Sequence, residues 1–493
     1  MSPIQTARRS NYRWIVCSFL FLATMINYLD RQVLSLTWHD FIAPEFAWTD
    51  ADYGKITSIF ALAYAICMLF AGKIIDMAGE KRGFAWAMII WSIGAMLHAM
   101  CGIVTSGILT QEWFVGFDGA KEALHDFGTA GLPITTLSVT LFIICRIVLA
   151  IGQSGNFPAA VKATAEYFPQ KDRAYAISVF NNGSSVGALV APICIPIIAN
   201  RFGWEMSFFI VGSVGYIWVL AWLTFYHKPH MCEYVNHSEY KYIMQDESGA
   251  TIQEKIRKGH SDNQYLKKGI GIMRCFKYPQ TWALIICRIM TDGVWWFFLF
   301  WTPNYISEFY GYTTNSTMGM ALIVTLYLIS MLSVAGAYLP TYLVNNKDMS
   351  PETSRVHAMF VFAVIQLIGI SAVPLGDLTP WLFVIVIGIQ GAAHQSWSAI
   401  IFSLASDFIP KHSIGTITGV IGMAGGIASF LTMTYSGTLL TSAADAGNDF
   451  IFLDYEGKQA AYMLVFCCFS IMYLIGWMLM KLILDGHSKM TRK

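Results

Sequence analysis

Charged and polar side chains interrupt four of the most apolar stretches of this chain. Asp30 and Arg31 follow the almost wholly apolar run 14–25, and Arg146 lies midway along another such run. A charge at membrane depth costs at least ~2.5–3.5 kcal/mol, so such residues usually line a polar path or pair with a partner. Adjacent helical residues point about 100° apart, so Asp30 and Arg31 do not simply neutralise one another. The pattern predicts a membrane protein with a hydrated interior.

Arg146 and Gln153 are seven residues apart and therefore share one face of a helix, about 10 Å from end to end. An arginine without a partner in the middle of a membrane span is a candidate functional residue. The alternative is a structural arginine that pairs with a carboxylate elsewhere or with backbone carbonyls.

Two more polar constellations lie in the second half of the chain. Arg288 and Asp292 are spaced i, i+4 and can pair within one helix, so they form either a self-neutralised pair or part of a site. His394 and Gln395 lie between small polar residues in a stretch where polar groups must face protein or water. A lone histidine is more often a packing residue, but these neighbours favour a role in a site.

The composition indicates which elements must hold these side chains. Of the 493 residues, 55% are hydrophobic and only 13% are charged, whereas soluble domains have about 25% charged residues. About 20 apolar residues cross a bilayer as a helix, so we predict an all-α membrane protein with twelve transmembrane helices in two six-helix bundles. The predicted spans are 13–37, 55–75, 83–105, 134–158, 173–199, 205–226, 280–305, 315–344, 355–375, 379–409, 414–438 and 460–484.

Several functional classes are excluded by what the sequence lacks. A net charge of +1 gives no indication of nucleic-acid binding, and the ten cysteines have neither zinc-site nor disulfide-framework spacing. No nucleotide-binding or catalytic motif is present. We therefore expect neither an enzyme nor an ATP-driven pump, and no cofactor or metal.

Basic residues cluster on one predicted side of the membrane, which places both termini and the polar segment 227–278 in the cytoplasm of a cell-membrane protein. The two halves also repeat: residues 166–169 match 407–410 at an offset of 241, which carries Gln153 onto His394. We predict an N-terminal bundle over 1–226 with an outer loop at 106–133, a linker at 227–278, and a C-terminal bundle over 279–493. Parallel repeats with a site between them are typical of secondary transporters.

The loop between spans 2 and 3 carries a recognisable spacing of glycines, an acid and bases: Gly72, Asp76, Gly79, Lys81 and Arg82. It resembles the loop motif of the major facilitator superfamily, in which its role is structural and gating. The glycines permit a tight turn between helices, and Asp76 can cap a helix start.

Within that superfamily the chain resembles the anion–cation symporters, most closely the hexuronate transporters. The residues that carry this resemblance are Tyr28, Asp30, Arg31, Tyr64, Arg146, Phe157, Pro158, the segments 166–173 and 180–185, Arg288, Asp292, Trp295, His394, Gln395, Ser398, Ser406 and Asp407.

The resemblance implies that a sugar acid is imported with protons by alternating access. Arg31 and Arg146 would bind the substrate carboxylate, since a guanidinium can bond a carboxylate bidentately, and Asp30 would exchange the proton. A tryptophan can stack on the apolar face of a sugar. The further candidate contacts to substrate are Tyr28, Tyr64, Gln153, Trp295, Asn304, His394 and Gln395.

One departure from the family leaves alternatives open. Relatives often have a glutamate at the position of Gln153, and an amide cannot titrate. The chain could instead carry another organic anion, such as an aldonate, or act as an uncoupled facilitator. A non-transporting sensor or channel is a third reading, against which the repeated halves argue. We expect a monomer whose partners are a small organic anion, protons and lipid.

Overall fold

Long helices make up almost the whole of the described structure. The computed structural model describes residues 10–48, 50–113, 115–127, 132–246, 271–312, 316–408 and 413–490. A few side chains within its helices, including that of Asn304, lie outside the described part. A helix satisfies its backbone hydrogen bonds internally, which is the requirement that lipid imposes on a spanning segment.

The helices of the first half have these bounds: Tyr12–Thr37, Ala43–Phe46, Asp50–Ala78, Glu80–Ala99, Cys101–Thr110, Gly116–Phe127, Leu132–Gln153, Asn156–Tyr167, Gln170–Asn181, Gly183–Phe202, Trp204–Phe225 and His237–Ile243. A short π-helix, Trp38–Ile42, and a 3-10 helix, Pro229–Met231, accompany them.

The helices of the second half have these bounds: Ile272–Cys275, Pro279–Tyr310, Thr317–Ser330, Ser333–Gly336, Leu339–Lys347, Pro351–Gln366, Ala372–Leu378, Pro380–Phe408, Ile414–Ala446 and Gly457–Met490. Two 3-10 helices, Leu367–Ser371 and Gly447–Asp449, and an antiparallel hairpin of Ile451–Phe452 with Tyr455–Glu456 complete the described elements.

Ten helical segments within the described residues are long and apolar enough to cross a membrane. An eleventh is obtained if Glu80–Ala99 and Cys101–Thr110, bent by 50° at Met100, are one broken span. Pro279–Tyr310 covers the predicted seventh span but is not in that apolar set. The all-α membrane fold is confirmed, whereas the count of twelve spans stays a prediction.

Buried apolar side chains form separate cores in the two halves of the chain. One core is drawn almost entirely from residues 275–480, and two others come almost entirely from residues 12–243. The exceptions mark where the halves meet: Ala174 and Ala188 belong to the later core, and Ala399, Phe402 and Ile414 belong to an earlier one. The division into domains at 226 and 279 agrees with this packing but remains a prediction.

The segment predicted as an outer loop, 106–133, is largely helical where the structure describes it. Cys101–Thr110 and Gly116–Phe127 are helices, and residues 128–131 lie outside the described part. Ala120 and Leu124, one helical turn apart, are buried, and Lys121 Nζ lies 3.0 Å from Glu205 Oε1. Ala120 and Leu124 form a narrow apolar stripe, and the many polar residues around it led the sequence analysis to predict a loop instead of a helix.

Candidate functional site

A cavity of about 570 Å³ lies between the two halves of the chain. Its walls are formed by residues from both halves: Tyr28, Arg31, Gln32, Ser35, Tyr53, Thr57, Ser58, Phe60, Ala61, Tyr64, Met68, Arg146, Phe157, Asn181, Arg288, Asp292, Trp295, Trp296, Trp301, His394, Gln395, Ser398, Gly422, Gly426, Ser429, Phe430, Met433 and Thr434.

The cavity is displaced towards one face of the molecule. We call the face at which helices start at Tyr12 and end at Ala78 the terminal side. The first helix contributes only its far half to the cavity, as far as Ser35, and Asp50–Ala78 contributes its beginning, from Tyr53. The cavity therefore extends from the middle of the molecule towards the side opposite the termini.

Arg31 is held by an amide and surrounded by aromatic rings. Its Nε donates to Gln153 Oε1 at 3.0 Å, and its guanidinium carbon lies 4.4 Å from the centre of the Tyr64 ring and 5.1 Å from that of Tyr28. Aromatic faces attract a guanidinium and leave its planar edge free for bidentate bonding. Its buried Nη2 has no hydrogen-bond partner among the described residues.

Arg146 reaches the same cavity from the Leu132–Gln153 helix. It is 3% exposed, and its guanidinium carbon lies 5.2 Å from the centre of the Phe60 ring. Within the described residues no carboxylate forms an ion pair with Arg146 or Arg31, and Arg146 Nε lacks a hydrogen-bond partner. Two cations, Arg146 buried and Arg31 half-buried, thus lie in one wall of the cavity with unused donors.

Asp30 and Gln153 lie behind this wall rather than in it. One carboxylate oxygen of Asp30 accepts a hydrogen bond from Trp91 Nε1, and the other is buried without a partner among the described residues. Gln153 accepts from Arg31 and donates to the Asn27 carbonyl at 3.3 Å. Neither residue lines the cavity in this structure, and Gln153 bonds Arg31; its contact with substrate stays a prediction.

The opposite wall contains a cation that is already paired. Arg288 Nε lies 2.9 Å from Asp292 Oδ2, one turn along the same helix, and Arg288 Nη1 donates to Ser398 Oγ at 2.7 Å. The guanidinium carbon also lies 4.6 Å from the centre of the Phe402 ring. Both charged residues line the cavity, so the pair is internal and also part of the wall.

His394 and Trp295 form a stacked pair in this second wall. Their ring centroids are 5.7 Å apart with an interplanar angle of 2°, and both side chains line the cavity. His394 Nδ1 lies 2.6 Å from the hydroxyl of Tyr473, a fully buried residue of the last helix. Sequence reasoning missed Tyr473, because a tyrosine in an apolar span gives no signal of its partner.

Gln395 joins the two halves beneath the cavity. Its Oε1 accepts from Asn181 Nδ2 at 2.6 Å, and its Nε2 lies 3.5 Å from Ser184 Oγ. Asn181 itself was not singled out from the sequence, although it lies in a segment that carries the family resemblance. Of the remaining candidate contacts, Asn304 has its side chain outside the described part of the chain.

A match to a family model identifies the fold family of this chain. Residues 20–433 match the model described as Major Facilitator Superfamily. The chain belongs to this superfamily. As a member of this superfamily it is a multi-pass membrane transporter, which the sequence resemblance predicted.

Named relatives of this facilitator-superfamily chain transport sugar acids. It is 25% identical over 427 residues to a protein named hexuronate transporter from Escherichia coli (strain K12), covering 87% of each chain. It is also 23% identical over 328 residues to a galacturonate transporter from Dickeya chrysanthemi, covering 66% of this chain and 81% of the relative. A probable galactarate/D-glucarate transporter from E. coli (strain K12) is 22% identical, covering 92% of this chain and 94% of that protein.

Solved structures support the same fold. The proton:xylose symporter XylE bound to a bromo-deoxyglucose aligns with a TM-score of 0.63 at 14% identity, covering 96% of each chain. FucP in the outward conformation aligns with a TM-score of 0.57 at 14% identity, covering 95% of this chain and 98% of FucP. At such identities these likenesses establish the fold of the facilitator chain and nothing about its substrate.

The superfamily loop closes the terminal side of the molecule. The carboxylate of Asp76 accepts hydrogen bonds from the backbone N–H groups of Gly415 and Thr416, at 3.0 and 2.6 Å, and so caps the Ile414–Ala446 helix of the other half. Lys162 Nζ lies 3.2 Å from Asp76 Oδ1. Gly79 turns the chain with φ +80°, a conformation that favours glycine.

The other motif residues take separate positions. A Cβ on Gly72 would lie 2.0 Å from the Gly415 carbonyl oxygen, so this glycine permits close contact between helices. The Lys81 carbonyl accepts from Trp222 Nε1 at 3.1 Å, and Arg82 is exposed.

A second set of ion pairs closes the same side. Arg173 Nη1 lies 3.4 Å from Asp407 Oδ1, and Arg355 pairs with Asp407 Oδ2. Asp407 and Arg355 come from the second half and Arg173 from the first, and Arg355 also donates to the Gln170 carbonyl. The structure is therefore closed on the terminal side, with its cavity displaced towards the other.

Proposed function

We propose that this chain imports a sugar acid, a hexuronate such as glucuronate or galacturonate, by proton symport with alternating access. The observation that carries the proposal is the pair of guanidiniums in one cavity wall, Arg31 and Arg146, that form no ion pair among the described residues. A carboxylate is the planar anion that a guanidinium bonds best.

The rest of the cavity suits a polyhydroxylated molecule. Tyr28, Tyr64, His394 and Gln395 offer hydroxyl, imidazole and amide groups to sugar hydroxyls, and Trp295 offers an aromatic face. The names of the relatives, hexuronate and galacturonate transporters, favour the same class of substrate. The clustering of basic residues supports an orientation with the terminal side in the cytoplasm.

Asp30 is our candidate for the proton carrier. It is buried directly behind the cationic wall and has one carboxylate oxygen without a partner among the described residues. Protonation of such a group removes a buried charge, which suits uptake on one side of the membrane and release on the other.

The test is accumulation in proteoliposomes. With an inward proton gradient, the purified protein should concentrate glucuronate or galacturonate, whereas failure to accumulate any sugar acid would defeat the proposal. Asp30→Asn should abolish gradient-driven accumulation and leave substrate exchange largely intact, because the asparagine cannot carry the proton. Concentrative uptake by that variant would remove the role assigned to Asp30.

Gln153 supports a second candidate, a facilitator without proton coupling. Its amide takes the position at which relatives often have a titratable glutamate, and here it bonds Arg31 instead. Uptake that is unaffected when the proton gradient is collapsed would favour this second candidate.

A further inference from the structure

The two walls of the cavity differ in net charge. Arg31 and Arg146 in the first half form no ion pair among the described residues, whereas Arg288 in the second half is paired with Asp292. One wall therefore presents two guanidiniums that form no ion pair, with the Asp30 carboxylate behind them, and the other presents a neutral pair. An anionic ligand in this cavity is therefore attracted more strongly to the wall of Arg31 and Arg146 than to the wall of Arg288.

The Arg288–Asp292 pair packs closely against the neighbouring helix. A Cβ on Gly425 would lie 2.0 Å from Asp292 Oδ2 and 3.0 Å from Arg288 Cγ, so the backbone of the neighbouring helix presses against both residues. Asp292 is 7% exposed, and the hydrogen bond to Ser398 fixes the other end of the guanidinium. The close approach of that helix holds Asp292 beside Arg288.

The pair also faces the first wall. Arg288, Asp292 and Trp296 recur at four-residue intervals and share one face of the Pro279–Tyr310 helix. The Arg31 guanidinium carbon lies 5.9 Å from the centre of the Trp296 ring. Arg31 therefore lies beside one end of a helical face whose other end carries the neutral pair, and all three charged residues line the same cavity.

We propose that Asp292 restricts the cavity to monocarboxylate sugar acids and excludes aldarates, which carry a carboxylate at each end. This inference rests on the proposed function and deepens it. The second carboxylate of an aldarate would meet Asp292, a buried like charge that already neutralises the charge of Arg288. A hexuronate presents an uncharged, hydroxylated end there, which Ser398, Gln395 and His394 can accept. Specificity of this kind comes from repulsion of the wrong ligand as much as from attraction of the right one.

The experiment compares glucuronate with glucarate, a monocarboxylate and a dicarboxylate of the same carbon skeleton. Binding is measured by thermal stabilisation and by competition on the purified full-length protein, so no transport step is needed. The wild type should bind glucuronate at least tenfold more tightly than glucarate. Asp292→Asn frees the charge of Arg288 and should shift that ratio at least tenfold towards glucarate.

Two further variants separate charge from shape. The double variant Arg288→Gln with Asp292→Asn removes both charges; because it has no free Arg288 cation, it should stay well short of the single variant's shift towards glucarate. Glu308→Gln alters an exposed acid that pairs with Lys458, outside the cavity lining, and should leave the ratio unchanged.

Three results would overturn the inference while leaving a sugar-acid transporter intact. They are equal wild-type affinity for the two ligands, an Asp292→Asn ratio that does not move, and a double variant that gains glucarate as the single variant does. If Asp292→Asn does not fold, the wild-type ratio and the double variant still decide. A wild type stabilised by neither compound would instead overturn the proposed function and this inference with it.

Discussion

At the scale of single residues, the site depends on which polar groups are already satisfied. Arg288 has a carboxylate and a hydroxyl as partners, whereas Arg31 has only the neutral amide of Gln153 and nearby rings. The same residue type therefore acts as a neutral wall in one place and as a binding group in another. Burial of a charge without an ion pair is costly, and the buried Arg146 beside the half-buried Arg31 gives this wall a preference for an anion.

Tyr473 determines how His394 faces the cavity. The Tyr473 oxygen lies 2.6 Å from His394 Nδ1 and 3.5 Å from the Thr291 carbonyl. The carbonyl can only accept a hydrogen bond, whereas Nδ1 donates or accepts according to the tautomer. In either tautomer the contact with Tyr473 holds the His394 ring in one orientation.

We expect Tyr473→Phe to raise the KM for a sugar acid about fivefold, with a smaller effect on kcat. The reason is that a hydrogen bond of about 1 kcal/mol no longer holds the His394 ring in place. Proteoliposome uptake measures both constants. Tyr462→Phe is the control, since the Tyr462 hydroxyl on the same helix has no hydrogen-bond partner among the described residues. His394→Gln removes the imidazole ring that Tyr473 orients, so Tyr473→Phe should add nothing in that background. An unchanged KM for Tyr473→Phe would contradict the positioning role.

At the scale of elements, the terminal side is closed by backbone-to-backbone contact between helices of different halves. Gly72 lies against Gly415, and a Cβ on Gly419 would lie 2.4 Å from the Met68 carbonyl oxygen. Small residues allow helices in a membrane to approach this closely, where van der Waals packing replaces the hydrophobic drive. The Asp76 cap then adds charge-assisted hydrogen bonds at the same contact.

Gly72→Ala should force Asp50–Ala78 and Ile414–Ala446 apart on the terminal side. Overpacking of this kind costs about 1–3 kcal/mol, so we expect uptake to fall at least fivefold as the closed state is depopulated. Gly54→Ala on the same helix is the matched control, because its added Cβ would meet no atom within 4 Å. Rates are compared at equal amounts of reconstituted protein. Equal uptake by the two variants would show that this contact does not limit transport.

At the scale of the whole molecule, the halves are joined on one side by ion pairs and are separated by a cavity towards the other. Arg173 and Arg355, from different halves, both pair with Asp407. A ligand that binds across the cavity can shift such an equilibrium only by binding one state more tightly than the other. Opening of the terminal side breaks these ion pairs, and the free energy of ligand binding must compensate for their loss.

Asp407→Asn should favour opening on the terminal side, because two buried guanidiniums would then lie together without their shared carboxylate. Thr57→Cys, a cavity position, reports access from the opposite side when a membrane-impermeant maleimide is added. The exposed native cysteines, Cys194 and Cys468, are first replaced by serine. We expect Asp407→Asn to slow this labelling several-fold. Asp377→Asn, which changes an exposed acid elsewhere, should not slow the labelling. Equal labelling rates for the two variants would contradict closure of the terminal side by these ion pairs.

The sequence by itself determined the all-α membrane fold, the superfamily and the positions of the buried charges. These follow from local facts: apolar runs long enough to cross a bilayer, charges that interrupt them, and the spacing of the loop motif around Asp76. Helical periodicity also placed Arg288 beside Asp292, since residues four apart are neighbours on one helix.

Only the tertiary structure decided which helices face one another, and with that the partner of each polar group. It placed Gln153 and Asp30 behind the cavity wall, brought Tyr473 to His394, and joined Arg355 to Asp407. Periodicity along one helix says nothing about its neighbour, because that choice depends on packing between residues far apart in sequence. Arg31 and Arg288 are the same residue type in similar apolar runs. The partner of Arg288 lies on its own helix, whereas the contacts of Arg31 with Gln153 and Tyr64 come from other helices and depend on packing.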